Sequence, residues 1–280
     1  MRLQSALSHY RAQQRIGGAG LIAARRARFD TLDALVRTLV AYQVLAAREA
    51  SAAAGLMLDE QGLDAPAEGL TRVAGLAGWA SDGRGLAGLL EFTRRPGVTQ
   101  DAFDLIVSTQ LQDVARQATA IEMASRPKVT SYVRVLNLPS CSRCAILAGR
   151  VYRKNAGFLR HPRCDCRGVP SNEATAGDLV TDPMAYFDSL DRAGQDKVFT
   201  QAGAEAVRRG ADIGKVVNAR RGMEVSQSGR LTRRMVAGKP VFTTAEGAGR
   251  RVRLMPESIL EIGENDADVL RLLRAHGYLT

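Results

Sequence analysis

All four cysteines of this 280-residue chain, and one of its three histidines, lie within CSRCAILAGRVYRKNAGFLRHPRCDC, Cys141 to Cys166. The pattern is C-x2-C, sixteen residues, then H-x2-C-x-C. Two thiolates separated by two residues can wrap one metal ion in a knuckle turn, and a second pair from a neighbouring loop completes a tetrahedron. The candidate ligands are Cys141, Cys144, Cys164 and Cys166, with His161 able to replace one of the second pair, so five donors compete for four positions. A C-x-C pair on a regular strand would point to opposite faces. Either Pro162 and its neighbours bend the segment, or His161 is the fourth ligand and one cysteine is spare. Structural sites close all four positions with Cys and His, and a closed structural zinc site is the expectation. Disulfides or thiols without metal are the first alternative, and a catalytic centre the second.

Catalysis needs groups that the segment does not supply. A zinc hydrolase keeps a water position and a nearby base, and Asp165 is the only acid within the cluster. A nuclease of the HNH type would need an adjacent acidic-histidine pair and a second histidine. No G-x-S-x-G elbow or P-loop occurs. His9, in an N-terminal helical segment, and His276, at a helix C-terminus where the dipole favours a cation, are expected at the surface. The chain is therefore not expected to be an enzyme, and no small-molecule substrate is expected.

The elements that would hold this cluster follow from periodicity. In FDTLDALVRTLVAYQVLAAREASAAAGLML, Leu32, Leu35, Val36, Leu39 and Tyr42 recur at helical spacing, with Asp30 or Thr31 as N-cap. A second long helix starts after Thr99, places Phe103, Ile106, Val107, Leu111, Val114 and Ile121 on one face, and ends before Pro127. Residues 61–98 read as short helices and loops, and the glycines of GGAG, Gly17 to Gly20, as a hinge between two helical pieces. After Pro127, VTSYVRVL and GRVYRK read as strands, with the cysteine pairs at the flanking turns. Helices return at Asp182–Pro183, one of them running through QDKVFTQAGAEAVRRG to Gly210, and a last one covers about Asp266 to His276 before Gly277. The expected fold is α+β and mostly α: a helical region, 1–126, then a small-stranded, zinc-stabilised module with C-terminal helices, 127–280.

The formal charge is +10, from 34 arginines and five lysines against 29 acids. Residues 205–253 alone hold twelve Lys or Arg and four Asp or Glu, a local net of +8. Between about Val225 and Arg253 the glycines and charges suggest a long, mobile, basic loop. Arg208, Arg209, Arg220, Arg221, Arg230, Arg233, Arg234, Arg250, Arg251 and Arg253 are the candidate contacts to a polyanion, non-specifically bound double-stranded DNA. No apolar run reaches membrane-spanning length and the N-terminus has no signal-peptide core, so no membrane association is expected. Synthesis in a reducing cytosol favours metal ligands over disulfides.

CSRCAILAGRVY followed by HPRCDC resembles the central motif of phage Mu F-like head morphogenesis proteins, minor capsid proteins of tailed phages. DRAGQDKVFTQAGAEAVRRGADIGKVVNARRGM and the ending RLMPESILEIGENDADVLRLLRAHGYLT are similar to the later part of such proteins. The resemblance covers about residues 130–280. It implies a low-copy virion component inside the head near the portal, made in the host cytoplasm, contacting portal and other head proteins and packaged DNA. It implies the same five metal-ligand candidates. Asp165 stands where many members carry arginine, so no phosphate-binding role carries over to that position. Some members are fused to a maturation protease or a toxin, and the sequence shows no sign of either. A phage nuclease, a maturation protease and a zinc-containing DNA-binding regulator are the alternatives. The regulator is disfavoured because the arginines come with no evident recognition helix.

Overall fold

A computed structural model describes residues 3–68, 72–80, 82–136, 140–157, 166–172, 182–219, 233–236, 239–246 and 251–279. The chain forms two compact units, Met1–Leu138 with Gly149–Val180, and Pro139–Ala148 with Thr181–Thr280. The division expected at 126/127 does not coincide with them. The architecture is α+β and mostly helical, with two small antiparallel sheets. Among the described residues no helix is long and apolar enough to cross a membrane.

The first unit is built on α1 (Gln4–Ala27), α2 (Leu32–Glu60) and α4 (Gln100–Ala124), with the short α3 (Leu86–Thr93) between the last two. Thr31 and Thr99 cap α2 and α4 as expected, accepting from the N–H groups of Ala34 at 3.1 Å and Ala102 at 3.2 Å. Leu35, Leu39, Phe103, Val107 and Leu111 of the expected stripes meet Ala24 and Ala27 of α1 in one core cluster. Farther along, Ala46, Ala47 and Ala50 of α2 face Val114, Ala115 and Ala118 of α4.

The glycines of α1 do not make a hinge, since the helix runs unbroken through them. Gly20 serves packing instead: a Cβ there would lie 2.8 Å from Leu111 Cδ1 and 3.0 Å from Tyr42 Cγ. The missing side chain lets α1 seat against α2 and α4. At the end of α1, Arg28 donates to the carbonyls of Thr93 and Val98, both at 2.9 Å, and to Gln100 Oε1 at 3.2 Å, over the Phe103 ring. One guanidinium thus ties the ends of α1 and α3 to the start of α4.

The unit's sheet has the order β2-β1-β3: β1 (Ser131–Val135) pairs antiparallel with β2 (Val151–Arg153) on one side and β3 (Arg167–Ser171) on the other. The first two match the expected strands. The third was hidden by its own Gly168 and Pro170, and Pro is tolerated there because β3 is an edge strand. Val133 and Val169, paired in register, pack with Leu3, Ala53 and Met57. On the opposite parity Tyr132 stacks on Tyr152 with centroids 5.3 Å apart. Burial, and to a lesser degree the neighbouring Tyr152, push the Tyr132 phenol up to about 12, and its hydroxyl donates to the Ala156 carbonyl.

The second unit contains α5 (Ser142–Leu147), α6 (Pro183–Asp188), α7 (Arg192–Phe199), α8 (Gln201–Arg208), α9 (Ile213–Ala219), α10 (Pro256–Ile262) and α11 (Asp266–Ala275). Asp182 caps α6 as expected, accepting from Met184 N–H at 2.8 Å. The single helix expected to end at Gly210 is instead two, α7 and α8, broken at Thr200, whose φ of 68° no helix accommodates. Thr200 then caps α8 through Gly203 N–H at 3.2 Å.

The expected mobile basic loop is also corrected. Within it β4 (Arg233–Val236), β5 (Lys239–Glu246) and β6 (Arg251–Leu254) form an antiparallel sheet of order β4-β5-β6. Val241, Phe242, Thr243 and Thr244 supply a run of high β-propensity that outweighs the glycines, which fall between the strands in sequence.

The last helix ends as expected, with Gly277 at φ 73°. Its final residues bind back on the unit. Leu254 N–H donates to His276 Nδ1 at 3.3 Å, Tyr278 Oη donates to the Leu254 carbonyl at 3.0 Å, and Asp212 N–H donates to the Tyr278 carbonyl at 2.9 Å. His276 is therefore not the surface cation expected at a helix end: burial, then the charge of Arg253, lower its pKa below the usual 6.5. Nδ1 must stay unprotonated to accept from Leu254. A base whose folded pKa is depressed binds protons more readily when unfolded, so its contribution is complete above the unfolded value and is lost as pH falls through the folded one. Denaturation between pH 7.5 and 5 should show a loss of up to about 1 kcal/mol, one hydrogen bond's net worth. His276→Asn, which keeps an acceptor that cannot protonate in this range, should remove that part of the slope. An unchanged slope would show that His276 is not its source.

Candidate metal centre

Cys141 is the N-cap of α5, and its Sγ accepts from the Cys144 N–H at 3.5 Å. Cys141 is exposed and Cys144 is buried. The arrangement follows from the local sequence: Ser-Arg-Cys after Cys141 turns at once into a helical turn, so a C-x2-C pair becomes N-cap and third helical residue. Ser140 fixes this start by bonding through both its N–H and its carbonyl to the Tyr186 hydroxyl, at 3.0 and 2.9 Å. Two soft donors held at one turn fit a zinc-type ligand pair.

The rest of the expected ligand set is distributed differently. Cys166 belongs to the first unit, buried just ahead of β3, and its carbonyl accepts from Arg116 Nε at 3.3 Å. Arg116 in turn pairs with buried Asp113 at 3.0 Å. His161 and Cys164 lie outside the described residues, as does Asp165. Among the described residues no group of three or more His, Cys, Asp or Glu side chains is assembled as a metal site.

The candidate arginines divide into three groups. Arg208 and Arg209 are engaged within the unit: Arg208 Nη2 lies 3.0 Å from both Asp196 and Glu205, and Arg209 bonds Glu205 at 3.0 Å and Asp266 at 2.8 Å. Burial pushes the Glu205 carboxyl up, but hydrogen bonds from Arg208 and Arg209 outweigh it and hold the group below its ordinary range. Their charge is thus matched by carboxylates of the same fold. Arg233 and Arg234 lie in β4, and Arg251 and Arg253 in β6. Arg253 is half-buried. Arg220, Arg221, Arg230 and Arg250 lie outside the described residues.

His9, expected at the surface, is buried: its Nδ1 is 2.7 Å from Glu49 Oε2, an oxygen that also accepts from Gln13 Nε2 at 2.5 Å. Gln13 donates as well to the Ala46 carbonyl at 2.8 Å, so a polar cluster joins α1 to α2. The signal lay in the spacing: His9 and Gln13 share the helical stripe of Gly20, Ala24 and Ala27. Neither a family model, nor a curated protein, nor a solved structure matches the chain.

Proposed function

We propose that this protein is a minor capsid protein of a tailed phage, a structural adaptor at the portal vertex that acts in head assembly, DNA packaging or ejection. The observation that carries the reading is the cysteine motif itself, C-x2-C through HP-x-C-x-C, with its first pair held at the start of α5 by the Cys144 N–H bond to Cys141 Sγ. In this reading zinc is structural, bound by four of Cys141, Cys144, His161, Cys164 and Cys166. The helical region docks on portal or neighbouring head proteins, and the arginines outside the Arg208–Arg209 ion-pair network neutralise packaged DNA. Finding the chain in purified particles, near the portal, is the direct test, and its absence from particles would end the reading.

The DNA-binding part has its own measurement. Affinity for double-stranded DNA should be weak, strongly salt-dependent and indifferent to sequence, because phosphate contacts release counterions without reading bases. Changing Arg233, Arg234, Arg250 and Arg251 to alanine together should flatten the salt slope by up to about 0.9 per lost contact. Filter binding at two salt concentrations with scrambled duplexes reads both. No affinity at low salt would reassign these arginines to protein interfaces, whereas a strong preference for one duplex would favour a regulator.

A further inference from the structure

Helix α1 carries Arg11, Arg15, Arg25 and Arg26 and no acidic residue along its 24 positions. Arg25 is paired with Asp104. Arg11, Arg15 and Arg26 are exposed and have no carboxylate partner among the described residues. Two large apolar side chains share their side of the helix, Ile22 at 52% exposure and Phe29, just beyond the helix end, at 82%. At 100° per residue, positions 11, 15, 22, 26 and 29 fall within an arc of about 60° and along about 27 Å. The opposite face of α1 is buried in the core of its unit.

Gly18 lies midway along this stripe at its edge, about 20° outside the arc, exposed, with nothing among the described residues within 4 Å of where a Cβ would stand. A helical glycine is destabilising by about 1 kcal/mol relative to alanine. Packing accounts for Gly20, but no contact among the described residues accounts for Gly18, or for Gly17 beside it. A glycine on an open helix face admits close approach of another backbone.

We infer that the outer face of α1, from Arg11 to Phe29, is the docking surface for an acidic amphipathic helix of a partner protein, whose carboxylates pair with Arg11, Arg15 and Arg26 and whose apolar side chains cover Ile22 and Phe29. Charge complementarity sets the sign of the partner. A second copy of the same face would set arginine against arginine. A DNA duplex would satisfy the arginines but gain nothing from Ile22 and Phe29, since its phosphate surface offers no apolar contact. A lipid surface needs a helix with an apolar face to insert, and the apolar face of α1 is already occupied. The inference deepens the docking role proposed for the helical region and shares with it only the idea of a protein partner. It does not depend on the virion location, so either can fail while the other stands.

The test uses the full chain and three labelled probes: a synthetic helical peptide with glutamates and two leucines along one stripe, a 20-base-pair duplex, and phosphatidylserine vesicles. A peptide of the same composition in scrambled order is the control. The striped peptide should bind in 50 mM salt at least about tenfold more tightly than its scramble. Arg11→Glu with Arg15→Glu should weaken it by more than tenfold, and Ile22→Ser with Phe29→Ser by about tenfold. The altered side chains are exposed, and circular dichroism confirms that the variants fold. Equal binding of striped and scrambled peptides overturns the inference, as does insensitivity of peptide binding to either variant. A loss of duplex or vesicle binding in both variants, with peptide binding unchanged, assigns the face to nucleic acid or lipid instead and also overturns it.

Discussion

Replacing Cys141 by serine should lower the stability of the chain by more than about 3 kcal/mol, because in a structural zinc site the binding energy of the metal is folding energy. This substitution is more informative than its neighbour. Cys144 is buried, and any change there disturbs packing. Cys141 is exposed and caps α5, a position where serine is among the best residues known. Without a metal, Cys141→Ser would therefore be neutral or slightly stabilising. The two readings differ in sign. Elemental analysis of protein purified under reducing conditions should give about one zinc per chain, and chelator should lower the melting temperature of the parent but not of the variant. A stable Cys141→Ser protein with an unchanged melting temperature in chelator would exclude a structural metal.

The second large effect is expected at Arg28. Its guanidinium holds two backbone carbonyls, those of Thr93 and Val98, and lies 4.8 Å from the centroid of the Phe103 ring. Hydrogen bonds from a charged donor are each worth roughly 1.5–3 kcal/mol net, and a cation over an aromatic face adds about 0.5–2 kcal/mol. Because Arg28 is half-buried, water replaces part of what is lost, and Arg28→Ala should lower unfolding free energy in urea by about 2–4 kcal/mol. Arg28→Lys should recover less than half of it, since an ammonium cannot fork between two carbonyls. A change below about 0.5 kcal/mol for alanine would mean that solvent serves those carbonyls equally well.

How far each feature could be read from sequence depended on whether its signal was local. The caps at Thr31, Thr99 and Asp182 and the glycine stop at Gly277 depend on a few adjacent residues, and all were legible. The β3 and β4-β6 strands were not, because Gly168, Pro170 and the glycines around residues 238–249 carry turn propensity that neighbouring strands override. The break at Thr200 has no local mark, since threonine rarely adopts positive φ. In the candidate site, the cysteine spacing was legible and a turn was expected at the first pair, but the helix α5 that begins there was not. The assignment of Cys166 to a different compact unit from Cys141 and Cys144 was not, because it follows from which strand completes which sheet. Arg208 and Arg209 illustrate the same limit: a basic sequence run says nothing about the acids that Asp196, Glu205 and Asp266 bring from elsewhere.

The chain leaves the first unit after Leu138, returns at Gly149, and leaves again after Val180. The segment carrying Cys141 and Cys144 is therefore made early and used late. Its unit is supplied mainly by Thr181–Thr280, and Tyr186, which holds Ser140, is translated well after Cys144. At about 5–20 residues per second, the roughly seventy residues between α5 and the end of α9 take about 4–14 seconds to synthesise. During that interval the thiol pair hangs as a loop between β1 and β2, the two strands it connects, with its own packing partners still inside the ribosome. Vectorial synthesis thus leaves Cys144, which the finished fold buries, open to solvent for that interval, whereas Cys141 stays exposed throughout.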